Sequence, residues 1–106
     1  MGLFGSASGK LVDETAKSLA GEVVKLRPPD QGKGLNAAGV SLKTLERKVD
    51  DLFMQATAFR KEHKLGVYKK ARLANTFRWE LKELGYDNVF IEAITEKLVI
   101  ALAKKD

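Results

Sequence analysis

Val12, Ala16, Leu19, Val23 and Leu26 recur at alternating spacings of four and three residues, which places them along one face of a helix. The spacing predicts a first helix over 10–27. Gly21 weakens it by about 1 kcal/mol relative to alanine. Pro28 and Pro29 end it, because a residue that precedes proline is pushed out of the α region. Gly32, Gly34 and Gly39 follow within 28–40, which reads as a loop and the one hinge the pattern offers.

A longer pattern comes next. Leu42, Leu45, Val49, Leu52, Ala56, Phe59 and His63 keep an unbroken three–four spacing, a seam suited to long helix packing. A second helix over 41–65 is predicted, capped by Ser41, with Val40 and Leu45 as a hydrophobic staple. Gly66 supplies the left-handed residue that stops it. The third helix, 67–84, carries Leu73, Phe77, Leu81 and Leu84 on one face. It ends at Gly85, where Tyr86 can fold back on Leu81. Asp87 caps the fourth, 87–104, whose main face is Phe90, Ile91, Ile94, Leu98, Ala101 and Leu102. Nothing alternates convincingly with period two, so no sheet is predicted. The fold class is all-α: a small four-helix bundle of up-and-down type over 10–106, behind a flexible glycine-rich arm, MGLFGSASG, at 1–9.

Residues left over from these faces are the first functional candidates. Tyr68, Arg72, Asn75, Trp79 and Lys82 fall on one stripe of the third helix, away from its Leu73/Phe77/Leu81 face. Either the first helix packs over Tyr68 and Trp79, or they face solvent as rings and guanidinium fit to grip a partner. On the fourth helix Val89, Ala93 and Ile100 lie off the main face. The first helix is expected to cover them, small Ala93 easing its approach; the other role is contact with a second copy or a partner.

Composition narrows the chemistry. The chain has 106 residues, 44% hydrophobic and 31% charged, enough for one self-supporting core. It contains no cysteine, which excludes disulfides, thiolate metal sites, iron–sulfur clusters and a cysteine nucleophile. The longest near-apolar run, Leu98–Ala103, is far short of the roughly 20 residues a membrane span needs. No basic-then-apolar leader opens the sequence, so a cytoplasmic setting is expected. Net charge is +5, and it is unevenly spread. Arg60, Lys61, Lys64, Lys69, Lys70, Arg72 and Arg78 stand against Glu62 alone, a local excess of +6. Such a cluster suits phosphate groups; it is equally the ordinary dress of helix ends and solvated faces.

Recognisable motifs fail on their details. Gly5–Lys10, GSASGK, has three residues between its glycines and Leu11 after the lysine, where a phosphate-binding loop needs four and a hydroxyl. Gly2 with Ser6 fits the short N-myristoylation pattern, which is commonly accidental. A helix-turn-helix centred on Gly66 would place Glu62 and Arg72 where small and apolar residues must pack. His63 is the lone histidine and sits at a helix end, where it eases the dipole. Glu80/Glu83 and Glu92/Glu96 lack an accompanying histidine, and the side chains of adjacent Asp50 and Asp51 diverge. No catalytic residue, metal site or cofactor is therefore expected. The reading is a non-enzymatic module that binds another protein through Tyr68, Arg72, Asn75 and Trp79. The alternative is a nucleic acid or other polyanion held by Arg60, Lys61, Lys64, Lys69, Lys70 and Arg72. A homodimer ranks behind both, and a membrane-surface role for residues 1–27 ranks last.

Overall fold

The computed structural model describes residues 8–27, 29 and 42–103. Its regular structure is α1 (Gly9–Leu26), α2 (Leu42–His63), α3 (Val67–Glu83) and α4 (Asn88–Ala103). No strand occurs among the described residues, and the fold is an all-α bundle.

Local chemistry sets the helix ends. Ser8 caps α1, its Oγ accepting from the Leu11 N–H at 3.1 Å. Ser8 and Gly9, assigned to the arm on composition, thus open the first helix; residues 1–7 lie outside the described residues. Gly9 has a packing reason, since a Cβ there would sit 2.8 Å from the Arg72 guanidinium. The end of α3 matches expectation. Gly85 has φ +98°, and the Tyr86 N–H reaches the Leu81 carbonyl at 3.3 Å while Gly85 N–H reaches Lys82 at 3.1 Å. Asp87 caps α4, accepting from the Phe90 N–H at 2.9 Å.

The end of α2 differs from expectation. Its left-handed residue is Lys64 (φ 51°), while Gly66 is extended and serves as the N-cap of α3. Leu65 explains the choice: its N–H reaches back to the Arg60 carbonyl at 3.1 Å and its side chain is buried, which requires the chain to reverse at Lys64, two residues before Gly66. The loop over 30–40, the Ser41 cap and the Val40–Leu45 staple fall outside the described residues.

The helices alternate in direction along the chain, but chain neighbours are not always packing neighbours. Asp13 near the start of α1 meets Arg72 near the start of α3, and Arg27 beyond α1 meets Tyr86 beyond α3, so α1 and α3 run parallel. Lys97 pairs with Asp50 at 3.5 Å and Thr57 donates to the Ala101 carbonyl at 3.3 Å, so α2 and α4 are parallel too. The order around the bundle is α1, α3, α4, α2. Helices α2 and α3, joined by a tight turn, face each other across the core, where Phe53 meets Phe77 edge to face at 5.7 Å.

That core is built from the predicted stripes. Val12, Ala16, Leu19 and Val23 of α1, Val49, Leu52 and Ala56 of α2, Leu73, Phe77 and Leu81 of α3, and Ile91, Ile94, Leu98 and Leu102 of α4 are all buried. Each large side chain among them contributes about 1.5–3 kcal/mol by leaving water. Leu84 departs from its predicted face: it follows the last turn of α3 and is 40% exposed. The line Val89, Ala93 and Ile100 is not covered by α1, because α1 docks on α3 instead, and Val89 is 81% exposed.

Candidate functional site

The open placement of Tyr68 and Trp79 resolves to solvent. Tyr68 is 70% and Trp79 58% exposed, while Asn75 between them is exposed as well. Eleven residues are just over three helical turns, so the two positions stand on one line about 16 Å apart along the helix. Burying α3 through Leu73, Phe77 and Leu81 forces this line outward, because the two sets occupy opposite sides of a single helix.

Arg72 belongs to a different arrangement. Its guanidinium donates twice to the Asp13 carboxylate, at 3.0 and 2.8 Å, and Thr76 Oγ1 donates to the same carboxylate at 3.0 Å. The hydrogen bonds from Arg72 hold the Asp13 carboxyl below its ordinary range, against the opposing effect of burial, with Thr76 and the Arg72 charge adding to the shift. Arg72 is raised in turn, first by its hydrogen bond to Asp13. The side chain is thereby oriented along the α1–α3 seam, at the edge of the exposed line rather than on its crest. Nothing in the one-dimensional pattern marks Asp13 as its partner, 59 residues away.

Asn75 is the position where three surface hollows meet. One is shared with Asp13, Tyr68, Ala71, Arg72 and Thr76. The second, of about 350 Å³, is lined by Lys70, Ala71, Ala74, Val99, Leu102 and Ala103. The third, of about 310 Å³, is lined by Arg78, Trp79, Lys82, Asn88 and Ile91. The last two lie end to end between α3 and α4, with Asn75 between them, and are called the trough below.

The basic cluster gathers at the bundle end where α2 stops and α3 begins, with Lys64 exposed and Lys69 and Lys70 half-buried. Arg60 and Lys61 are engaged within the fold. Two of the segment's cations are balanced from other helices, Arg72 by Asp13 and Arg78 by Glu92. His63 packs against Phe59, ring centroids 4.6 Å apart. Among the described residues no three His, Asp or Glu side chains converge as metal ligands would, and no helix is long and apolar enough to cross a membrane. No family model matches the chain, and neither a curated protein nor a solved structure matches it.

Proposed function

We propose that this protein is a non-enzymatic, cytoplasmic interaction module that binds another protein through the outer line of α3, with Tyr68, Asn75 and Trp79 as its grip and Arg72 at its edge. One observation carries the reading: two large aromatic side chains stand out of the core on the same line, Trp79 being the only tryptophan of the chain. Exposed Trp and Tyr remove much apolar surface from water when a partner arrives, and they dominate interface energetics. Asn75 adds an amide able to donate and accept beside them.

The polyanion alternative draws on Lys64, Lys69 and Lys70 at the basic end, but the engagement of Arg72 by Asp13 takes away one of its contacts. A photo-crosslinking residue placed at Asn75, and in parallel at exposed Lys17 on α1, tests the proposal in the native host. A protein adduct specific to position 75, lost on adding Trp79→Ala, is expected. Adducts at both positions alike, or an adduct with nucleic acid alone, would overturn it. Phosphate binding would also weaken steeply with salt, which an apolar interface would not.

A further inference from the structure

Resting on that protein-binding reading, we infer that the trough between α3 and α4 receives a short acidic, amphipathic segment of the partner. The trough is apolar in its middle, where Ala71 and Ala74 on α3 face Val99 and Leu102 on α4. Small alanines keep the floor low, and Val99 remains 47% exposed on the rim, surface that a partner's apolar side chains would cover. Its ends are cationic. Lys70 lines one end; Lys82 and Arg78 line the other. Arg78 is paired with Glu92, but neither Lys70 nor Lys82 has an ion-pair partner among the described residues. Among the described residues no carboxylate lines either hollow. Lys70 and Lys82 are twelve positions apart, about 18 Å along the helix. The complementary ligand carries carboxylates at that separation with apolar side chains between them.

Thr95 is nine-tenths buried, and its hydroxyl has no hydrogen-bond partner. It lies one turn from both Ile91 and Val99 of α4, which line the two hollows, but lines neither itself. Asn75, shared by both hollows, can meet a peptide backbone at the centre.

Trp79 lines the trough and is the sole tryptophan, so its emission reports occupancy without a label. Full-length protein is titrated with a 14-residue peptide bearing glutamates at both ends and leucine and phenylalanine between. Further titrations use the same peptide with lysine for glutamate, an acidic scramble, a neutral apolar peptide and a short single-stranded DNA. The acidic peptide is expected to shift Trp79 emission to shorter wavelength and to bind about tenfold or more tightly than its lysine counterpart. The double variant Lys70→Glu/Lys82→Glu, both at surface positions, is expected to invert that preference while keeping its helical circular dichroism. Equal binding of the scramble or the DNA would replace the inference with diffuse attraction to polyanions. Equal binding of the neutral peptide would overturn the acidic requirement and leave the protein-binding face standing. If no peptide moves Trp79, the inference fails, while crosslinking at position 75 still decides the broader reading.

Discussion

On one flank α3 meets α1 and is tied to it at both ends; on the other it meets α4 and is tied near the connecting turn. Both flanks offer small side chains and cations, so residue type alone does not separate them. On the α1 side, Arg72 and Thr76 are tied to Asp13 at one end, and Tyr86 donates to the Arg27 carbonyl at the other. Ala16 and Ala20 between those ties let the two helices approach closely, and both are fully buried. On the α4 side, the ties lie together near the connecting turn: the Gly85 cap and the Arg78–Glu92 pair. At the far end, Lys70 and Ala103 border a hollow, and no equivalent tie occurs there among the described residues. Both flanks keep a surface hollow, and the difference lies in the ties: among the described residues α1 is held to α3 at both ends, α4 near the turn.

The largest effect should come from crossing α3 from inside to outside. Phe77 is fully buried against Phe53, and Phe77→Ala is expected to cost about 3–5 kcal/mol in denaturant unfolding. Trp79→Ala, two residues away on the exposed line, is expected to cost less than about 1 kcal/mol. Comparable losses would show that Trp79 supports the fold, and the contrast between core and outer line would collapse.

How much of this was readable beforehand follows the range of each interaction. The stripe Leu73, Phe77 and Leu81, the Gly85 stop and the Asp87 cap are local patterns, settled within a few residues of chain and therefore legible in the sequence. At the end of α2 the residue of lower intrinsic cost for the left-handed stop is Gly66, but burial of Leu65 places the reversal at Lys64. Helix neighbourhood is a long-range choice. The spacing of α1 reveals that it has a buried face but not that α3, rather than Val89, Ala93 and Ile100 of α4, receives it. The same holds at the candidate site. Tyr68, Asn75 and Trp79 could be placed on one line by counting turns, whereas the capture of Arg72 by Asp13 needs the two helices already in register.

The tie at the far end of the α1–α3 seam is expected to give the next largest effect. Tyr86 is buried, stacks on Phe90 at 4.8 Å, and its hydroxyl donates to Arg27. Tyr86→Phe keeps the ring and strands that carbonyl, a loss of about 1–2 kcal/mol. Burial pushes the hydroxyl up to about 12, with the Arg27 charge pulling the other way. The raised value favours the neutral form in the folded state. Its stabilising contribution is therefore intact below the ordinary 10.0 and is lost as pH rises through about 12. The stability gap between the natural protein and Tyr86→Phe should stay constant up to pH 10 and narrow above it. A gap independent of pH would show that the hydroxyl is not buried in the seam.

The smallest effect belongs to the Asp13–Arg72 tie, because both side chains remain more than a third exposed and solvent screens the pair. Its signature is the shape of a pH profile rather than its size. The Asp13 carboxyl is held below the ordinary 3.8, chiefly by hydrogen bonds from Arg72, so the folded state favours the charged form. That contribution is complete above the unfolded value and is lost as pH falls through the lower folded one. Asp13→Asn preserves the shape and removes the titration, so the difference in melting temperature between the two proteins should be flat from pH 7 to about 5 and shrink below pH 4. Raising salt should shrink it at neutral pH as well. If Asp13→Asn is without effect in either dimension, the ionic tie does not hold α1 to α3, and burial of the apolar face of α1, Ala16 and Ala20 included, must account for the docking alone. Arg72 would then be free to turn outward, and peptide binding at the trough should strengthen in the variant instead of staying unchanged.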